Sequence, residues 1–115
     1  MLKETWALFI LEVSFINEAL IRRNAIDTVQ NYIWENLFEP NKNWPAYEFR
    51  RRCYARWAAN EILQRIESEP ESPILTVLYF WAEVDEFSKI DSDHDQAEMF
   101  KIAAETAEEI GSLLV

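Results

Sequence analysis

The residues best equipped for chemistry share one short stretch, "DSDHDQAEMFKI", residues 91–102. Asp91, Asp93 and Asp95 match the first three ligand positions of a calcium-binding EF-hand loop. The sixth position of that loop demands glycine for its sharp turn and is Gln96 here. The twelfth demands a bidentate glutamate and is Ile102. With both demanding positions wrong, three carboxylates ahead of a helix are read as caps at its positive end. His94 is the single histidine. Asp91 lies three residues before it and Glu98 four after, a spacing a transition metal accepts. Carboxylate di-iron bundles need two Glu-x-x-His motifs, and this chain has none. A solvent-exposed His94 is the expectation. A serine or cysteine triad would have to use that one histidine. A glycine-rich phosphate loop cannot be built from the lone Gly111. Cys53, the only cysteine, stands among arginines, and nearby positive charge lowers a thiol pKa. The plainer expectation is a small, partly buried side chain on a helix. The sequence therefore predicts a non-enzyme with no catalytic, cofactor or metal site.

Charge offers more. The chain carries eleven basic and twenty-one acidic residues, a net of −10. Residues 1–66 hold nine basic and eight acidic side chains, net +1. Residues 67–115 hold two and thirteen, net −11. Against that background, Arg50, Arg51, Arg52 and Arg56 crowd into "YEFRRRCYARWAANEIL". At about 100° per residue they fan around a helix, with Arg51 and Arg52 bordering its alanine stripe. With Tyr54 and Trp57 they make a basic-aromatic patch that suits RNA. A net charge of −10 repels the phosphate backbone that dominates nucleic-acid affinity. Neutralisation of C-terminal carboxylates, within the fold or in a second copy, is therefore favoured over direct nucleic-acid contact. Glu48–Arg52 and Glu61–Arg65 have the favourable i,i+4 order.

Asp91, Asp93, Asp95, Glu98, Glu105, Glu108 and Glu109 put seven carboxylates in nineteen residues. Exposed on one side, such a row meets the basic groove of a protein that normally holds nucleic acid. These seven are the expected partner-binding residues. The plainer role is a solvated face that keeps the protein soluble.

Helices must position these groups. One glycine and four prolines are too few turn residues for an all-β fold. Leu2, Trp6, Phe9, Val13, Ile16 and Leu20 recur at steps of four and three, which predicts a helix. Leu8, Ile10, Leu11 and Phe15 widen the stripe, so this helix is expected at the centre of the core. A strand over residues 7–16 is the competing reading, disfavoured because it finds no partner strand. Asn24 is expected to cap or bend the chain before a second helix carrying Ile26, Val29, Ile33 and Leu37. "EPNKNWP", residues 39–45, is the clearest break, with Asn43 the expected N-cap of a third helix over Ala46–Ile66. Its buried stripe is Ala55, Ala58, Ala59, Ile62, Leu63 and Ile66. Ser72 is expected to cap a fourth helix with Pro73 first in it. That helix, "ILTVLYFWAEVDEF", is apolar on nearly every side before Glu83. It is either deeply buried or an oligomer interface. Ser92 with Asp95 suggests a capping box for a fifth helix. Its inner line is read as Ala97, Phe100, Ala104, Ala107, Gly111 and Leu114, flanked by Met99, Ala103 and Ile110.

The whole predicts one all-α domain over residues 1–115, a compact bundle of about four to five helices. The lone cysteine suits a reducing, cytoplasmic compartment. No stretch approaches the ~20 apolar residues of a membrane span, and no cleavable signal follows the apolar N-terminus.

"ARWAANEILQRI", "FWAEVDEFSKI" and "AETAEEIGSLL" are similar to short, acidic, uncharacterised helical proteins of mobile elements in anaerobic Firmicutes, over roughly residues 54–115. The resemblance implies an accessory protein, of the kind that includes acidic anti-CRISPR inhibitors of nucleic-acid-binding nucleases. It carries over no catalytic residue. The expected function is a non-enzymatic inhibitor or accessory factor that meets a basic protein partner through its acidic C-terminal surface. The alternatives are a structural homo-oligomer, such as a homodimer through the fourth helix, and RNA binding through the arginine cluster and Trp57.

Overall fold

The computed structural model describes residues 2–37, 43–90 and 94–115, with side chains from Asn17 onward. The described chain is an all-α bundle of four helices: α1 (Leu2–Asn36), α2 (Ala46–Ser68), α3 (Pro73–Ile90) and α4 (His94–Leu114). The first segment is a helix, and the competing strand is absent. Helix α1 continues through Asn24, where a break was expected. The Thr28 hydroxyl donates to the Asn24 carbonyl at 2.8 Å, and one asparagine costs too little to interrupt the helical ladder. The first two expected helices are therefore one, which reduces the count to four.

Only the second half of α1 is seen to enter the core, through Ala25, Val29 and Tyr32, followed by Leu37 just past its end. Leu20, expected at the centre of the core, is 52% exposed. The other residues of its stripe, Leu2 to Ile16, have side chains outside the described residues. The molecule measures 67 × 31 × 20 Å. A 35-residue helix is about 52 Å long at ~1.5 Å per residue, and it accounts for the long dimension.

Helix α2 begins at Ala46, with Pro45 in the cap position and Phe49 N–H donating to the Pro45 carbonyl at 3.0 Å. Asn43 is thus not the N-cap: proline's fixed φ presets the first turn with no side-chain cap. Ala55, Ala58, Ala59, Ile62 and Ile66 are buried, as their spacing predicts, and Leu63 packs against the same core half-buried. Helix α3 starts as expected: Pro73 is its first residue, and Ser72 Oγ accepts the Leu75 N–H at 3.3 Å. Ser92 lies outside the described residues.

Helices α3 and α4 pack antiparallel along their length. Val77 faces Gly111, Trp81 reaches Glu108, and the Phe87 and Phe100 rings sit 5.4 Å apart. The buried face of α4 is Ile102, Ala103, Ala104, Thr106, Ala107 and Ile110. Ala97, Phe100, Gly111 and Leu114, expected on the inner line, are only half-buried, so the face is rotated toward Ile102 and Thr106. The rotation lets α4 face both α2 and α3. Thr106 is tolerated inside because its hydroxyl donates to the Ile102 carbonyl at 2.9 Å. Phe80, Ile62, Ile66, Ile110, Val29 and Thr76 are the largest fully buried side chains.

Candidate functional site

Periodicity brings the α4 carboxylates together. Glu98, Glu105, Glu108 and Glu109 fall within about a third of the helix circumference at ~100° per residue. Asp95 is exposed in the first turn, to one side of them. Asp91 and Asp93 lie outside the described residues. The four glutamates do not form a free row, because neighbouring helices supply each with a partner. Glu98 lies 3.6 Å from Arg50 Nε and Glu105 lies 4.0 Å from Arg51 Nη2. Glu108 accepts from the Trp81 indole at 3.0 Å. Glu109 accepts a hydrogen bond from the Tyr32 hydroxyl.

This answers most of the question posed by the arginine cluster. Arg50 and Arg51 reach across from α2 to neutralise carboxylates of α4. Arg52 pairs with Glu48 at 3.5 Å, donates to the Asn36 carbonyl at the end of α1, and stacks over Trp44 at 5.2 Å. Arg56 makes no ion pair with a described residue. The Arg50 Nε is buried without a hydrogen bond, so Glu98 balances its charge but does not satisfy its donor. The side chains of these pairs are about one-fifth to one-half exposed, so each pair contributes little in water. They offset the charge of Glu98 and Glu105, whereas Glu108 and Glu109 meet neutral donors and keep theirs.

Where α1, α2 and α4 meet, a cleft of about 180 Å³ is lined by Tyr32, Asn36, Arg51, Arg52, Glu105 and Glu109. Burial, then the bond and charge of Glu109, push the Tyr32 phenol well above its usual range. It stays a neutral donor, not a base. On the far side of α2, burial pulls Arg65 down, but Glu83 at 3.1 Å and Glu61 at 3.4 Å outweigh it and raise its pKa. Cys53 is half-buried and His94 is exposed at the start of α4. Among the described residues no group of three His, Cys, Asp or Glu side chains is placed to hold a metal ion, and no helix is long and apolar enough to cross a membrane.

The surface that sequence reasoning left undecided is α3. Its inward face is Pro73, Thr76, Val77, Phe80 and Val84. Directly opposite stand Ile74, Leu75, Leu78 and Tyr79, each 41–53% exposed, with Ala82 continuing the strip. No charged residue interrupts this side over the first ten residues of α3. Acids flank both ends: Glu67 and Glu71 before the helix, Glu83, Asp85 and Glu86 beyond the strip. Arg65 holds Glu83 and Lys89 holds Asp85. Glu67, Glu71 and Glu86 are exposed with no ion pair among the described residues. The all-round apolar character was visible in the sequence, but which half would stay outside was not.

No protein-family model, curated protein or solved structure matches this chain.

Proposed function

We propose that the protein is a non-enzymatic binding factor whose contact surface is the outward face of α3, and that its partner is a protein presenting apolar side chains flanked by lysine or arginine. The observation that carries this reading is the charge-free strip Ile74, Leu75, Leu78 and Tyr79, half exposed on a helix already buried on its other side. A monomeric soluble protein rarely leaves so many large apolar side chains contiguous, and such patches mark interaction sites. The partner's basic character follows from the acids at both ends of the strip, Glu67, Glu71 and Glu86 above all. Apolar contact would supply affinity there, and the acidic ends would steer encounter and set register.

Relative to an acidic surface centred on Asp91, Asp93, Asp95, Glu98, Glu105, Glu108 and Glu109, this reading moves the contact from α4 to α3 and keeps the basic partner. What favours the move is the cross-helix pairing of Glu98, Glu105, Glu108 and Glu109. The finer form, a blocker of a nucleic-acid-binding host-defence protein of the anti-CRISPR kind, rests on the resemblance of residues 54–115 alone.

The test is capture from a bacterial lysate at low and moderate salt by three forms of the protein. Wild type and a Glu105→Gln/Glu108→Gln variant should retain the same basic protein, more firmly at low salt. Leu75→Lys/Leu78→Lys should lose it. Retention by the lysine variant, or no basic partner at either salt, sinks the reading.

A further inference from the structure

Helix α2 also keeps large apolar side chains out of the bundle. Its buried stripe is Ala55, Ala58, Ala59, Ile62 and Ile66. Phe49, Cys53, Arg56, Trp57, Asn60 and Gln64 fall on the other side, within an arc of about 100° at ~100° per residue. Phe49 is 37% and Trp57 42% exposed. At the start of this face an open groove of about 730 Å³ is lined by Trp44, Ala46, Phe49, Arg50 and Cys53. No acid falls within the arc between Ala46 and Gln64. Arg50 is paired with Glu98 and Arg52 with Glu48. Arg56 makes no ion pair with a described residue.

This face complements the α3 strip in length and in charge. Phe49 to Trp57 and Ile74 to Ala82 are each eight residues apart, about 12 Å at ~1.5 Å per residue. Arg56 stands near the end of the first strip. Glu71 and Glu86 stand just beyond the two ends of the second, and with Glu67 they are exposed without an ion pair among the described residues. Overlaying the apolar parts in either direction therefore brings the spare cation toward a spare acid.

We infer that the outward face of α2 in one copy of this chain binds the α3 strip of a second copy, head to tail. Charge selects this pairing over the symmetric ones. Two α3 strips would set Glu67, Glu71 and Glu86 against their own copies, and two α2 faces would set arginine against arginine, and both are costly. Because the two faces differ, each added copy leaves one of each kind open, and growth passes two chains unless a ring closes. Faces this short give a weak contact, so association depends on concentration. The inference rests on the α3 reading and adds a regulation of the same strip: α2 of one copy covers α3 of another, and a basic partner must displace it.

Sedimentation of the full chain tests it. Wild type should grow in mass with concentration beyond the 13.7 kDa of one chain, less so at high salt. Phe49→Gln/Arg56→Gln and Leu75→Lys/Leu78→Lys should each sediment as one chain. Mixed in equal amounts they should pair and stop at twice that mass, because one variant keeps an intact α3 and the other an intact α2. Arg56→Gln alone, which removes no core side chain, should weaken the association by roughly tenfold. A wild-type protein that stays a single chain at about 0.5 mM overturns the inference. So does a mixture that fails to pair, or either double variant that still assembles by itself. Capture of a basic protein by a wild type that stays a single chain would overturn this pairing alone and leave α3 as the contact surface.

Discussion

Four carbonyl oxygens converge on the guanidinium of Arg22. Its Nη1 donates to Ile66 and, at 2.7 Å, to Glu69. Its Nη2 donates to Pro70 at 3.2 Å and Glu71 at 2.9 Å. The last carbonyls of any helix lack partners within it, and the negative end of the helix favours a cation there. Arg22 of α1 thus caps α2 from outside and fixes the turn that delivers Pro73 to the start of α3. Arg22→Ala should lower stability by about 1.5–3 kcal/mol, the range for hydrogen bonds to a charged group. Urea unfolding would measure it. Arg22→Lys should recover only part, because one ammonium cannot reproduce the planar fork. Tyr32 gives a prediction in pH. Its folded pKa is raised, so its contribution is complete below the unfolded value of ~10 and is lost progressively as pH climbs from there through the raised folded value. Above about pH 10 the denaturation midpoint of wild type should fall more steeply than that of Tyr32→Phe. Equal slopes would remove the Glu109 contact from the account.

At the scale of the element, the sequence was most legible where a helix settles its own structure. The i,i+4 pairs Glu48–Arg52 and Glu61–Arg65 form at 3.5 and 3.4 Å, because helical spacing alone brings them together. The alanine stripe of α2 and the Ser72–Pro73 start of α3 were legible for the same reason. Contacts between elements were not. Arg50–Glu98 and Arg51–Glu105 showed only as a charge imbalance, since their partners lie some fifty residues away. The partners of Arg22 lie 44 to 49 residues on, with no local signal at all. The inner face of α4 was misjudged because alanines lie on several of its sides, so its orientation depends on α2 as well as α3. Gly111 belongs to that element. A Cβ added there would meet Val77 Cγ1 at 3.6 Å, an ordinary contact. Gly111→Ala should therefore stabilise α4 by about 0.5–1 kcal/mol, by lowering the entropy of the unfolded chain. A lower melting temperature would mean that α3 and α4 approach too closely at Gly111 to admit a Cβ.

For the whole molecule the question is whether attraction between its charges outweighs repulsion. Attraction is local: the cross-helix and i,i+4 pairs lie at 3.0–4.0 Å on partly exposed side chains, each contributing at most about 1 kcal/mol. Repulsion is global: ten uncompensated negative charges act over distances comparable to the ~10 Å Debye length at 0.1 M salt. Added salt screens both, but it reaches the many long-range repulsions more completely than the few close pairs. The melting temperature should therefore rise between low salt and about 0.5 M sodium chloride. Capture of a basic partner by α3 should weaken, because that attraction is the one salt removes. A melting temperature that falls with salt would instead make the Arg50, Arg51 and Arg65 pairs the dominant electrostatic term, and the bundle a structure held by its ion pairs.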